Sequence, residues 1–224
     1  MEIGKYLATG LLVASPVIAQ EHCEDADVYR IGGKIGELST ALFLETTKRT
    51  PHSPGEYKRY ELTPAEASLK AQISAQRSLI QKCAELGNAG ARYIHAEHLE
   101  RSGDMLVVIS KDKTVLQDDP PKAAKAQSDA NETYAEANKW YSLAAAQGYP
   151  LAMLALGHNH AVGKGFVASK SLAMEWFSKA AHRAIETGKR DLAVICLKRM
   201  TALDPGHPLT RALMKALDDG ASQK

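Results

Sequence analysis

The sequence has few of the features that mark a catalytic or metal-binding protein. It contains three cysteines and no Cys-x-x-Cys pair, so neither a thiolate zinc site nor a dithiol redox motif is predicted. It contains no Gly-x-Ser-x-Gly, His-Glu-x-x-His or Walker sequence. Its net charge of +2 over 224 residues is too small to indicate binding of nucleic-acid phosphates. We therefore expect a protein that is not an enzyme, with no cofactor, no metal ion and no nucleic-acid partner.

Long apolar runs are also missing, apart from a short one at the start of the chain. A basic residue precedes the apolar residues 6–14, and small residues stand at the −3 and −1 positions of a cleavage site after Ala19. This order is typical of a secretory signal, and the run is too short to span a bilayer. His22 precedes Cys23 where a lipoprotein would need a small residue. We predict that residues 1–19 are a signal peptide and that the mature protein is periplasmic or secreted, without a membrane span.

Three cysteines are left after this cleavage: Cys23, Cys83 and Cys196. An oxidising compartment favours their pairing, and an odd number leaves one over. Cys23 is close to the new N-terminus and can therefore reach a partner elsewhere in the chain. The sequence leaves the pairing open; we favour a Cys23–Cys83 disulfide, with Cys196 buried as a small apolar residue.

Glycine and proline divide the rest of the chain into segments of helical length. Residues 26–48 carry apolar residues at helical spacing, and three glycines among them favour close approach of another helix. The sequence Thr63-Pro64-Ala65-Glu66 combines an N-cap, a first-turn proline and a capping-box glutamate. We predict an N-terminal helix and loop over 20–62, then a helical domain over 63–218 and a frayed tail over 219–224. The helices of the 63–218 domain are predicted at 63–86, 89–101, 131–147, 150–162, 169–187, 190–203 and 208–218.

Residues 104–130 interrupt this helical pattern as an insertion. Gly103 is a stop signal for the preceding helix, and two short apolar segments then flank a polar Ser-Lys-Asp-Lys sequence. This arrangement could form a small β-hairpin over 105–117. The two aspartates and two prolines at 118–121 are typical of a linker.

Two segments of the C-terminal half repeat at an interval of 36 residues. Residues 137–145 (ANKWYSLAA) return as residues 173–181 (AMEWFSKAA), so each copy keeps an aromatic pair, a serine and an Ala-Ala step. A period of this size is typical of stacked supersecondary units. Together with Gln147-Gly148-Tyr149, Leu156-Gly157 and Gly163-Lys164-Gly165-Phe166, the pattern resembles the Sel-one-like repeat, a relative of the tetratricopeptide repeat.

A weaker copy lies at residues 82–91 and runs on into the next helix. It departs from the family pattern, because His95 stands where leucine is usual and Ala96 where glycine is usual. The resemblance implies an all-α fold, a right-handed α-solenoid of stacked helical hairpins. It also implies that Trp140 and Trp176, one repeat apart, occupy equivalent buried sites.

The resemblance further implies a function, because such repeats act as protein-interaction scaffolds, often in the cell envelope. In proteins of this type the first helix of each hairpin lines the inner, concave face. The family's core positions fall on Ala91, Ala96, Ala152, Leu156 and Gly157. The residues left off the core, expected to bind a polypeptide partner, are Arg92, His98, Arg101, Met153 and Asn159.

The alternative hypothesis is an envelope enzyme, or a binder of cell-wall or β-lactam-type ligands. Residues 110–113 have the Ser-x-x-Lys spacing of penicillin-binding enzymes but lack the Ser-Asp-Asn and Lys-Thr-Gly elements. His95 and His98 stand one helical turn apart, which would let two imidazoles share a metal. His95, however, occupies a core position of the repeat. We therefore prefer a non-catalytic scaffold.

Overall fold

Helices make up almost all of the chain that the structure describes. The computed structural model describes residues 23–47 and 62–219. The predicted signal peptide 1–19, most of the loop before Leu62 and the end of the predicted tail lie outside these residues. Within the described ranges the chain forms nine helices and no strand: α1 (Asp25–Thr47), α2 (Pro64–Glu85), α3 (Ala89–Lys111), α4 (Lys113–Asp118), α5 (Pro120–Ala146), α6 (Pro150–Val162), α7 (Lys170–Glu186), α8 (Arg190–Leu203) and α9 (Pro208–Asp219).

Side-chain caps explain where several of these helices begin. The hydroxyl of Thr63 accepts a hydrogen bond from the amide of Glu66, whose carboxylate accepts one from the Thr63 amide. This capping box satisfies two amides that a helix start leaves without partners. Asn88 and Ser169 cap α3 and α7 in a similar way. The helix starts predicted from capping residues and prolines are therefore confirmed.

The predicted β-hairpin over 105–117 and the linker over 118–130 are wrong. Helix α3 continues to Lys111, α4 follows, and α5 begins at Pro120. Asp112 caps α4 by accepting hydrogen bonds from two amides, and Asp119 caps α5. The apolar residues 105–109 therefore continue a helix. The insertion lengthens α3 and α5, which pack side by side as a helical hairpin.

Gly103 lies inside α3 and does not end it. A Cβ atom on Gly103 would lie 2.6 Å from the ring of Tyr134, a buried residue of α5. The glycine therefore allows the tyrosine ring to pack directly on the α3 backbone. Tight packing of this kind favours glycine without ending a helix, which is why the stop signal was misleading.

The helices pack mainly against their neighbours in the chain: α1 with α2, α2 with α3, α3 with α5, α6 with α7 and α7 with α8. This confirms the all-α fold class. The largest group of buried apolar residues, which we call the C-terminal cluster, comprises Ala173, Met174, Phe177, Ala180, Ala181, Ala184, Leu192, Ala193, Cys196, Met200, Leu213 and Leu217. No helix in the described ranges is long and apolar enough to cross a membrane.

A disulfide joins Cys23, just before α1, to Cys83 near the end of α2, with 5.2 Å between their Cα atoms. The start of α1 has a second attachment, because the Asn88 side-chain amide donates hydrogen bonds to the Cys23 carbonyl and the Asp25 carboxylate. Cys196 is a free, buried thiol. Burial raises its pKa to about 12, so it stays protonated.

The repeated aromatic pairs bury their second member most deeply. Trp140 and Trp176 are half-buried, whereas Tyr141 and Phe177 are each only 1% exposed. A Cβ atom on Gly157 would lie 2.5 Å from the Phe177 ring, so this glycine allows α6 and α7 to approach closely. The expectation that Trp140 and Trp176 occupy buried core sites is therefore wrong. Tyr141 and Phe177, the residues that follow them, occupy those sites.

Candidate binding groove

Two adjoining cavities form one groove lined by residues of helices α1, α3, α5, α6 and α8. One has a volume of about 290 Å³ and the other about 400 Å³. They share Tyr93, Glu97, Arg101 and Leu151, so they are continuous. We call this surface the groove.

The first cavity lies between α1 and α3 and is lined largely by aromatic and small residues. On α1, Gly32, Gly33 and Gly36 line it. The hydroxyl groups of Tyr29 and Tyr149 lie 2.9 Å apart, so a hydrogen bond connects α1 to the start of α6. The Tyr149 ring also contacts the ring of Tyr93, with their centroids 5.4 Å apart. Tyrosines from α1, from α3 and from the turn before α6 therefore surround this end of the groove.

The second cavity has an apolar side and a charged side. Helix α6 contributes Leu151, Leu154 and Ala155, followed by His158. Helix α3 contributes charged residues spaced so that they lie on one face: Glu97, Glu100, Arg101 and Asp104. Helix α8 adds Arg199. An apolar surface with charges beside it suits a segment of polypeptide better than it suits a small apolar molecule.

The charged side is held in place by Lys164, which belongs to the loop after α6. Its Nζ atom lies 3.0 Å from Glu100 Oε1 and 2.7 Å from Asp104 Oδ1. Tyr141 donates a hydrogen bond to Glu100 Oε2, and Tyr134 donates one to Asp104 Oδ1. Burial raises the pKa of both tyrosines, so both hydroxyls keep their protons. The two carboxylates are thus fixed acceptors rather than mobile surface groups.

Asp104 remains ionised despite its environment. Partial burial opposes ionisation, but the hydrogen bonds from Lys164 and Tyr134 outweigh it and lower the pKa of Asp104. The Tyr134 hydrogen bond and the 2.7 Å contact from Lys164 both reach Oδ1. The side chain is 49% exposed, and a carboxylate has acceptor sites on two oxygens, so Asp104 can accept a further hydrogen bond from a ligand.

The two arginines of the groove differ in their contacts. Arg101 lies 2.9 Å from Glu97 in an ion pair along α3. Arg199 is exposed and has no hydrogen bond or ion pair within residues 23–47 and 62–219. Burial lowers the pKa of the neighbouring His158, and the charge of Arg199 lowers it further.

Of the five residues predicted to bind a partner, the structure brings two to the groove. Arg101 lines both cavities and His98 lines the first. His98 is only 9% exposed, and its Nδ1 atom has no hydrogen-bond partner among the described residues. Burial lowers the pKa of His98 to about 4, and nearby Arg77, Arg101 and His95 add to this effect. His98 therefore belongs partly to the core, contrary to expectation.

The other three residues do not line the groove. Arg92 donates hydrogen bonds to the Ala84 carbonyl and the Gln147 side chain, which ties α2 and α5 to α3. Met153 is half-buried between two groups of core residues. Asn159 is fully buried and donates a hydrogen bond to Asn138, so its expected position off the core is wrong.

Several groove residues were not predicted from the sequence: Tyr29, Tyr93, Tyr149, Glu100, Asp104 and Arg199. A helical-face argument could have found those on α3, because Tyr93, Glu97, Glu100 and Asp104 recur every three or four residues. No comparable signal identifies Arg199. Its place depends on how α8 packs against α7.

The two alternative chemistries weighed above find no support in the geometry. Ser110 lies in the last turn of α3 and donates a hydrogen bond to the Val107 carbonyl, while Lys113 begins another helix. The serine of a penicillin-binding motif would begin a helix. His95 packs edge-on against Trp140, 5.1 Å between centroids. Among the described residues, no three His, Cys, Asp or Glu side chains are grouped to hold a metal ion.

In comparisons with known proteins, the chain matches no protein-family model, no curated protein and no solved structure. The groove must therefore be interpreted from its own residues.

Proposed function

We propose that this protein is an exported, non-catalytic scaffold of the bacterial cell envelope that binds an extended segment of a protein partner in the groove. The observation that carries the proposal is the groove itself, which is lined by five helices and combines tyrosines, an apolar side and fixed charges. A continuous groove lined by several helices suits a chain-like ligand. The hairpin-by-hairpin packing supports the further proposal of a right-handed solenoid related to the Sel-one-like repeat.

Export is the part of the proposal that rests on the first 19 residues. A disulfide between Cys23 and Cys83 is consistent with an oxidising compartment, where such bonds persist. Sequencing the N-terminus of the exported protein should find Gln20 first. A mature form that retains Met1 would contradict export by this signal.

Binding in the groove can be tested by site-specific photo-crosslinking. Benzoylphenylalanine would replace Tyr29, which lines the groove and is 52% exposed, or Arg101 in its middle. The matched control replaces Ile195, an exposed residue of α8 that does not line the groove. We expect both groove positions to crosslink to one partner sequence, at sites whose order follows the groove. No adduct, or equal labelling from Ile195, would contradict the proposal.

A further inference from the structure

The charges along the second cavity set requirements for whatever lies in it. Three carboxylates, those of Glu97, Glu100 and Asp104, are matched by three cations, those of Arg101, Lys164 and Arg199. The site is therefore close to neutral at pH 7. A strongly charged ligand of either sign would gain little from the field of the whole groove.

Two of these charged groups can still take a contact from a ligand. The Arg199 guanidinium has no hydrogen bond or ion pair in the described part of the chain, and the half-exposed Asp104 carboxylate can accept a further hydrogen bond. They belong to different helices, α8 and α3, and both line the cavity with the apolar side of α6. A ligand that supplied one carboxylate and one cation would satisfy both groups and leave the site neutral.

We propose that the groove selects a peptide segment with one acidic and one basic side chain that flank an aliphatic one. The acidic group binds Arg199, the basic group binds the Asp104 carboxylate, and the aliphatic group packs on Leu151, Leu154 and Ala155. A guanidinium binds carboxylates through parallel hydrogen bonds, so Arg199 gives specificity for the acidic position. This inference rests on the proposed function and names the kind of partner sequence.

The first test uses a random dodecapeptide library displayed on phage and selected on the oxidised protein. We expect the selected peptides to share an acidic, an aliphatic and a basic position. Selection on R199D should replace the acidic position by a basic one, because the variant reverses the charge of Arg199, the cation along the second cavity that has no ion pair within the described residues. K198D is the matched control: it places the same change on the same helix at an exposed residue that does not line the groove.

The second test measures the affinity of one synthetic consensus peptide by fluorescence polarisation. R199D should weaken binding at least about tenfold, and K198D should change it by less than about twofold. A peptide with its acidic residue changed to Gln should bind wild type more weakly but R199D no more weakly than the consensus peptide does. Both positions are exposed, so circular dichroism should show that both variants fold.

The outcomes separate this inference from the function on which it rests. If peptides bind in the groove but show no charge pattern, or if R199D selects the same peptides as wild type, the inference is wrong and groove binding stands. If no peptide binds, or if bound peptides crosslink only outside the groove, both proposals fail.

Discussion

The two copies of the 36-residue repeat place the same aromatic position in different surroundings. In α5 the position is Tyr141, whose hydroxyl donates to Glu100 of α3. In α7 it is Phe177, which lies in the apolar C-terminal cluster. When Ala96 of α3 is aligned with Gly157 of α6, Glu100 falls on Ala161. The hydroxyl and its acceptor are therefore both present in one copy and both replaced by apolar groups in the other.

This difference shows how one helical arrangement accommodates two kinds of interior. In the C-terminal cluster the contacts are apolar, and α9 covers the end of the array. In the centre, Tyr141, Tyr134 and Lys164 hold two carboxylates beside the groove. A partly buried carboxylate is costly unless it is paired and hydrogen-bonded, so the tyrosine copy can carry a charged groove. The phenylalanine copy has apolar groups at both equivalent positions.

The largest expected effect is in the apolar copy. Replacing Phe177 by Ala should lower the free energy of unfolding by about 3–5 kcal/mol, since it removes a fully buried ring packed on Gly157. Trp176→Ala is the matched control and should cost less, because Trp176 is half-buried. Urea denaturation followed by circular dichroism measures both. An equal or larger loss for Trp176→Ala would show that the tryptophan is the core residue after all.

Exchanging the two aromatic residues tests the comparison directly. Tyr141→Phe should cost about 1.5–3 kcal/mol, because it removes a hydrogen bond to an ionised carboxylate. Phe177→Tyr should cost about 1–3 kcal/mol, because its hydroxyl would meet a cluster of apolar residues. The same urea experiment applies. A neutral or stabilising effect of Tyr141→Phe would mean that the hydroxyl does not support Glu100.

The features predicted from the sequence are those that depend on local chemistry. Capping residues and the 36-residue repeat are local, and they identified the all-α fold and most helix starts. The prediction for the insertion at 104–130 was wrong because Gly103 resembles a helix stop signal. The role of Gly103 depends on its contact with Tyr134, which lies 31 residues later in the chain.

The groove was predicted less well than the fold because its residues come from different hairpins. Arg101 was found because it lies on an identifiable helix face. Asn159 was misplaced because its partner, Asn138, belongs to another helix, and nothing near it in sequence indicates that hydrogen bond. Arg199 could not be assigned to the groove without knowing how α8 packs. A repeat pattern in the sequence therefore does not show which residues of different repeats contact each other.

The central region should also respond to acid, through His98 of α3. The folded state lowers the pKa of His98 from 6.5 to about 4, so between these values the unfolded chain binds a proton that the folded chain does not. Stability is therefore complete above about pH 6.5 and falls as the pH is lowered toward 4. The pKa of the Cys196 thiol in the C-terminal cluster is raised to about 12. This thiol therefore stays protonated throughout the range and adds no pH dependence of its own.

The measurement is the urea midpoint at about pH 7 and about pH 4.5 for wild type, H98Q and the control H182Q. His182 is exposed on α7, so H182Q should keep the wild-type pH dependence. H98Q should lose less stability on acidification than wild type does. Identical slopes for all three proteins would show that His98 does not couple protonation to folding.

Among these substitutions, Arg101→Ala should have the smallest effect on stability. Arg101 is also the residue best placed to test the groove. Removing Arg92, His98 and Arg101 together would confuse binding with folding, since Arg92 joins three helices and His98 is buried. Arg101→Ala alone breaks one exposed ion pair with Glu97, which should cost less than about 1 kcal/mol.

Arg101 also lines both cavities, so the same change should weaken binding of a groove-selected peptide several-fold. The control Arg30→Ala breaks a similar exposed pair with Asp27 outside both cavities, and it should leave binding unchanged. Equal binding losses for the two variants would mean that peptides are held by general surface charge rather than by the groove.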